Sequence, residues 1–284
     1  MKINHLLFTT ICLACFSMLS CTKKSNEVNI DEDDLETPGK LEIIGGKLPG
    51  EFSISENRKI QFSQGNLQYL ASAGTWRFAE HQYDNIGEAN SKISASCSTW
   101  IDLFGWGTGN NPTKIETDYK TYSTFSEWGQ NPISNGGDKA NVWRTLTEDE
   151  WEYVLNARNN ATSLRGQAKV NDIPGYILLP NDFVLPKGVN FTADSKNAKD
   201  NAYTLNQWTK LEIAGAVFFP CCGQRYQTTV QYPSSCNYWS STPHIVSGAV
   251  NGEAAAYYIH FTSQKVNYDL RTYGMAVRLV QDVQ

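Results

Sequence analysis

Histidine is scarce in this chain of 284 residues, with four in all. His5 falls in the first apolar segment, which leaves His81, His244 and His260 for chemistry in the folded part. No Gly-x-Ser-x-Gly elbow accompanies them, so a hydrolase-type nucleophile with its base has no support in the sequence. A basic excess is missing too, since 24 Lys+Arg stand against 29 Asp+Glu. Capturing a phosphate backbone needs a cationic stripe, and without one nucleic acid is excluded as a partner. No repeat of about 20 to 50 residues recurs and no second linker interrupts the pattern, so the folded part reads as one large domain. Carboxylates do cluster at Glu148, Asp149, Glu150 and Glu152. They sit in the first turn of a helix, where the macrodipole favours negative charge without any catalytic role. No catalytic residue and no cofactor is assigned.

What is present begins with an address. Lys2 precedes the apolar run Leu6 to Leu19, which closes on Leu19-Ser20-Cys21. A charged start, a short apolar stretch and a small residue before the cut predict a secretory signal over residues 1–20, too short to span a bilayer. Cysteine directly after the cut resembles the lipobox of bacterial lipoproteins. That resemblance makes Cys21 the lipidated N-terminus and the membrane a partner through its acyl chains; the alternative is a cleaved signal with an incidental cysteine. Residues 21–47 carry seven acidic and four basic side chains and no helical period. Such a segment cannot offset its ordering entropy by burial and reads as a flexible acidic tether. Its cluster Asp31 to Asp34 resembles the surface-export signals of Bacteroidetes-type lipoproteins, or is a solvated spacer. The expected location is the outer membrane, lipid-anchored and surface-exposed.

From Leu48 to Gln284 the charges nearly balance, and the composition favours a loop-rich, mostly β domain. The chain has 21 Gly, 14 Tyr and 8 Trp. Short alternating or apolar runs predict strands at Phe52–Ile54, Lys59–Phe62, Trp76–Phe78, Tyr176–Leu179 and Ala216–Phe219. One helix is sharply marked. In RTLTEDEWEYVLNAR, Thr147 and Glu150 form a capping box, while Leu146 and Trp151 take the positions of a hydrophobic staple. Trp151, Val154 and Leu155 then share one face, which predicts that this face is buried.

That same segment, Trp143 to Tyr153, resembles the RLPTEAEWEYA helix of formylglycine-generating-enzyme-like domains. Tyr238-Trp239-Ser240-Ser241-Thr242, Tyr257 to Phe261, Arg271, Gly274 and Val277-Arg278-Leu279-Val280 are similar to the terminal pattern of the Fibrobacter succinogenes major paralogous domain and related Bacteroides lipoproteins. FSQGNLQY, WIDLFGWGTG, ISNGGDKANVWRTLT and AGAVFFPCCG extend the likeness over most of residues 50–280. The resemblance implies an α+β, C-type-lectin-like fold over 48–284, loop-rich, with short antiparallel strands and one or two helices. It implies Trp239, Ser240, Ser241 and Arg278 as framework, and Arg271 as framework bordering the site. Fold alone supplies no function. The oxidase branch of the family uses a redox-active cysteine pair with copper near its C-terminus, and no cysteine follows Cys236 here. The calcium motifs of sugar-binding C-type lectins, Glu-Pro-Asn or Gln-Pro-Asp followed by Trp-Asn-Asp, are likewise missing, and Asn131 to Asn141 with Asp138 reads as a turn-rich loop.

Four cysteines lie beyond Cys21: Cys97, Cys221, Cys222 and Cys236. In an exported protein the even count points to disulfides, and Cys236 is close enough to pair with Cys221 or Cys222 across a hairpin. Buried free thiols are the alternative. No histidine stands at zinc-ligand spacing from them, so no metal is assigned.

The terminal strands carry the functional expectation. Alternation over Ala255 to Thr262 places Tyr257, Ile259 and Phe261 inward and Tyr258, His260 and Thr262 outward. Over Lys265 to Arg271 it places Val266, Tyr268 and Leu270 inward and Lys265, Asn267, Asp269 and Arg271 outward. With His244 and Tyr273 from flanking loops, Tyr258, His260, Lys265, Asn267 and Asp269 would form a Tyr/His/Asn-rich patch, the chemistry of adaptable recognition surfaces. The expected function is an adhesin or ligand-binding lipoprotein whose ligand is a glycan or a protein. Some related lipoproteins are targets of diversity-generating retroelements, which implies a diversified surface here. A formylglycine-generating-type enzyme and an envelope or fimbria-associated component are the alternatives. Replacing Cys21→Ala should move the protein from the membrane to the soluble fraction and abolish palmitate labelling; unchanged fractionation would remove the lipid anchor.

Overall fold

The computed structural model describes residues 41–246, 254–261 and 263–284. Cys21, the acidic cluster Asp31 to Asp34 and Thr262 lie outside the described residues. The chain folds as a mixed, loop-rich α+β unit of short, mostly antiparallel strands. Strands β1 (Phe52–Ser53) and β2 (Lys59–Phe62) pair first. Strand β3 (Leu67–Leu70) lies between β4 (Thr75–Phe78) and β5 (Trp100–Ile101). Strands β6 (Arg165–Val170), β7 (Ile173–Leu178), β8 (Ala202–Tyr203) and β9 (Val217–Pro220) form a four-stranded sheet in the order β8-β6-β7-β9, with β8 parallel to β6. A hairpin of β10 (Gln224–Tyr226) and β11 (Thr229–Gln231) follows. Strands β12 (Asn237–Ile245), β13 (Ala254–His260) and β14 (Lys265–Leu270) make the terminal sheet, and β15 (Val280–Asp282) returns to β2.

Helix α1 (Glu148–Glu152) starts where the capping box places it. Thr147 Oγ1 accepts from the Glu150 N–H at 3.2 Å, and Glu150 Oε2 accepts from the Thr147 N–H at 3.0 Å. The helix then widens into a π turn over Tyr153–Ala157. Trp151, Val154 and Leu155 are fully buried, as their shared face predicts. A second capping box, Thr204 with Gln207, opens α2 (Leu205–Ile213) and turns Trp208 and Leu211 inward.

Two aromatic cores meet at β13. Ile259 and Phe261 join Tyr238, Phe62, Trp151 and Phe219 in one cluster, while Ala256 and Tyr258 join Trp239, Trp106 and Phe104 in another. Both faces of this strand are therefore covered along part of its length, and a simple inside/outside alternation fails there.

The expected tether boundary at residue 47 needs correction. Leu41 and Ile43 pack against the first core, the Gln64 N–H donates to Gly46 O at 2.8 Å, and Lys47 bridges to Ser63. The two apolar side chains in Leu41-Glu42-Ile43 give this stretch enough buried surface to join the fold.

Of the two pairings open to Cys236, the structure forms the disulfide Cys221–Cys236, which encloses the β10–β11 hairpin. Cys222 remains a buried free thiol, accepting from Asn66 Nδ2 at 3.3 Å, and burial pushes its pKa well up. The chain end is clasped by ions: Arg144 reaches Asp282 at 2.8 Å and Glu150 at 2.7 Å. Hydrogen bonding to Arg144 holds the Asp282 carboxyl below its ordinary range.

Asp102 is fully buried, accepting from Ile86 N–H at 2.9 Å and Asn90 Nδ2 at 2.8 Å. Burial raises its pKa from 3.8 to about 6 despite these bonds. The unfolded chain loses this proton near 3.8 and the folded chain near 6, so rising pH favours the unfolded state across that window. Stability measured against Asp102→Asn should therefore fall by roughly 3 kcal/mol between about pH 4 and about pH 6 and level off above. A pH-independent difference would show that this carboxyl ionises freely in the fold.

Candidate functional site

The terminal sheet sets the register of the expected site. Tyr258 pairs with Asn267, His260 with Lys265 and Ala256 with Asp269, so these residues share one face. Tyr257 pairs with Tyr268 and Ile259 with Val266 on the other. Strand β13 is central and β14 lies at the edge.

On the first face the structure brings together most of the expected residues, at different depths. Lys265 and Asn267 are exposed, while His260, Asp269 and Tyr273 are half-buried. Tyr258 is a correction: only 7% exposed, it packs its ring 6.1 Å from that of Trp239. Its hydroxyl is what reaches the patch, lying 3.5 Å from Asn267 Nδ2. Burial raises the pKa of the Asp269 carboxyl, and its charge in turn raises those of Tyr258 and Tyr273 after desolvation. His260 Nδ1 lies 2.8 Å from Ser263 Oγ, and burial lowers its pKa.

Tyr273 carries the patch onto the β10–β11 hairpin. Its ring centroid is 5.3 Å from that of Tyr226, and Tyr232 beyond is 63% exposed. These two hairpin tyrosines escaped the sequence reading because they are far in sequence from β14. Their proximity to Cys236, itself a candidate for pairing back to Cys221 or Cys222, was the available signal.

Arg271 is a second correction. Expected to face outward, it is 6% exposed; Nε donates to Ala255 O at 2.7 Å, Nη1 donates to Tyr122 O at 3.0 Å, and the guanidinium lies 4.2 Å over the Trp106 ring. Turned inward, the guanidinium closes two main-chain carbonyls that a solvated charge would leave to other donors.

The opposite face holds His244, apart from the other expected residues. Its ring lies 4.7 Å from Tyr257 and 4.2 Å from Tyr268, centroid to centroid. Tyr268, expected inward, is 47% exposed, and Tyr257 is half-buried rather than in the core. A register irregularity between Trp239 and Pro243 offsets β12 here and leaves His244 free to join this cluster. The α1 start stands nearby: Glu148 N–H donates to Thr242 Oγ1 at 2.9 Å, and the Glu148 charge adds to desolvation in raising the Tyr257 pKa.

The sheet thus presents a polar strip of Lys265, Asn267 and Asp269 continuing into hairpin tyrosines, and a separate three-ring cluster behind it. The strip offers amide and carboxylate groups beside large rigid rings, a combination suited to hydrogen-bonded recognition with little entropy loss. Among the described residues, no group of three His, Cys, Asp or Glu side chains is placed to hold a metal ion, and no helix is long and apolar enough to cross a membrane.

Tyr258→Ala should cost about 3 kcal/mol in denaturant unfolding, as for other large buried aromatics, while Tyr268→Ala should cost under about 1 kcal/mol. Equal costs would overturn the assignment of one ring to the core and the other to the surface. Comparison with protein-family models, with curated proteins and with solved structures finds no match for this chain, so its functional reading rests on its own residues.

Proposed function

We propose that the protein is a lipid-anchored surface lipoprotein of C-type-lectin-like fold that binds a glycan or protein ligand without catalysis. The observation that carries this reading is the strip Lys265, Asn267 and Asp269 on an edge strand, continued by Tyr273 after it and by Tyr226 and Tyr232 within the loop that the disulfide closes. A rigid frame beneath a row of side chains that no ladder needs is what a recognition surface requires. The resemblance of Trp143 to Tyr153 and of the terminal segment to Bacteroides-type lipoproteins supports the fold, and the Cys21 lipobox pattern supports the anchor. Edge placement also supports the reading of β14 as a segment open to diversification, since it has a paired strand on one side only.

Against the formylglycine-generating alternative, among the described residues Cys221 and Cys236 are bonded to each other, while Cys97 and Cys222 are buried. A copper-binding thiol pair does not fit this arrangement. The envelope or fimbria-associated alternative predicts co-purification with an assembly partner instead of a soluble ligand.

The mature protein, freed of its anchor by Cys21→Ala, can be screened against immobilised glycans and purified proteins. For a ligand found this way, Asn267→Ala with Asp269→Ala should weaken binding at least about tenfold with an unchanged melting temperature. A ligand indifferent to that double substitution and to Tyr273→Ala would sink the assignment of this strip.

A further inference from the structure

The turn from β13 into β14 borders a cleft of about 550 Å³ lined in part by Arg165, Lys196, Ser263, Gln264, Lys265 and Glu152. In a chain of net charge −5, three cations around one concavity run against the overall balance. Their neutralisation is incomplete. Asp194 is shared between Arg165 at 3.2 Å and Lys196 at 3.0 Å, and among the described residues Lys265 has no carboxylate at ion-pair distance. Glu152, the one acid in the wall, is occupied by Asn156 Nδ2 at 2.8 Å.

The remaining polar groups of the wall are engaged within the protein. Arg165 is buried and fixed, with Nη1 donating to Leu155 O at 2.6 Å and also to Asn156 Oδ1. Gln264 is 6% exposed; its Oε1 accepts from Lys196 Nζ, and its amide is buried against Tyr176, so it braces Lys196 from within. Ser263 Oγ, already bonded to His260 Nδ1, links the cleft to the face that carries Asn267.

We infer that this cleft is a subsite for an oxyanion, a carboxylate or sulfate group carried on a sugar, held by Lys196 and Lys265. The inference rests on the proposed ligand-binding function and gives it a substrate class: an acidic glycan whose charged group sits at the β13–β14 turn and whose body runs along β14. Two lysine ammonium groups match two or three acceptor oxygens on one group, and a neutral hydroxyl supplies no comparable charge-assisted bonding.

Isothermal titration of the mature protein with glucuronate, glucose 6-sulfate and glucose tests this. Both charged sugars, or one of them, should bind at least about tenfold more tightly than glucose, and more weakly as ionic strength rises. The arm that binds identifies the oxyanion. Lys196→Ala with Lys265→Ala should reduce that binding at least about tenfold. Should the double variant unfold more easily, Lys265→Gln alone, at an exposed position, should still weaken binding of the charged sugars and leave glucose unaffected. Equal affinity for glucose, no detectable binding of either charged sugar, or indifference to these lysine variants would overturn the subsite. A neutral ligand from the broader screen that depends on Asn267 and Asp269 but not on Lys196 or Lys265 would remove the subsite and leave the proposed function standing. Charged-sugar binding that survives Asn267→Ala with Asp269→Ala would keep the subsite and count against the strip.

Discussion

Backbone carbonyls in the loops of this protein are closed by long, buried donors, and the rest of the structure depends on that. With strands of two to nine residues, sheet ladders satisfy only part of the main chain. Turn and loop backbone bonds close many of the others, and arginine and tryptophan supply donors at key points. Arg225 Nη2 donates to Leu103 O at 3.1 Å, Arg158 Nη2 to Leu179 O at 2.9 Å, and Arg271 Nε to Ala255 O at 2.7 Å. The indole N–H groups of Trp106, Trp143 and Trp239 donate to Ser240 O, Gly136 O and Phe104 O at 2.8 to 3.0 Å. Burial lowers the pKa of Arg158, Arg225 and Arg278 to about 10, which still leaves each guanidinium charged at pH 7. Arg278 is anchored through Gln82, whose Oε1 accepts from it at 2.8 Å and whose Nε2 donates to Glu212 at 2.9 Å. Removing one such donor strands several polar groups at once, a heavier penalty than the loss of a single surface pair.

This internal bracing frees the edge of the terminal sheet. Because β13 is gripped between two aromatic clusters and β12 is tied to the loops through Trp239, β14 has no structural duty on its outer rim. Polar residues there leave an edge strand unattractive for pairing with another chain. The same residues can then serve recognition without loss of stability.

How far the sequence was legible depends on range. Thr147 with Glu150 fixed a helix start because a capping box is local, involving four residues and two hydrogen bonds. The equivalent Thr204 and Gln207 carry the same signal. The apolar runs at Lys59–Phe62 and Ala216–Phe219 became β2 and β9 because their composition suits buried strands. The terminal strands were placed as strands, yet their inside and outside were partly misread. Alternation presumes one wet face, and β13 has cores on both sides, so Tyr258 went in while Tyr268 stayed out.

The amino-acid order by itself determined the loop-rich, strand-rich character, the capped start of α1 and the near balance of charge, since these follow from local propensity and composition. Tertiary structure alone decided which cysteine joins Cys236, which arginines turn inward, and which tyrosines reach water. Each of those outcomes is set by what lies across space from the residue, as with Arg271 beneath Trp106 or Tyr273 against Tyr226, and chain position carries no record of such neighbours.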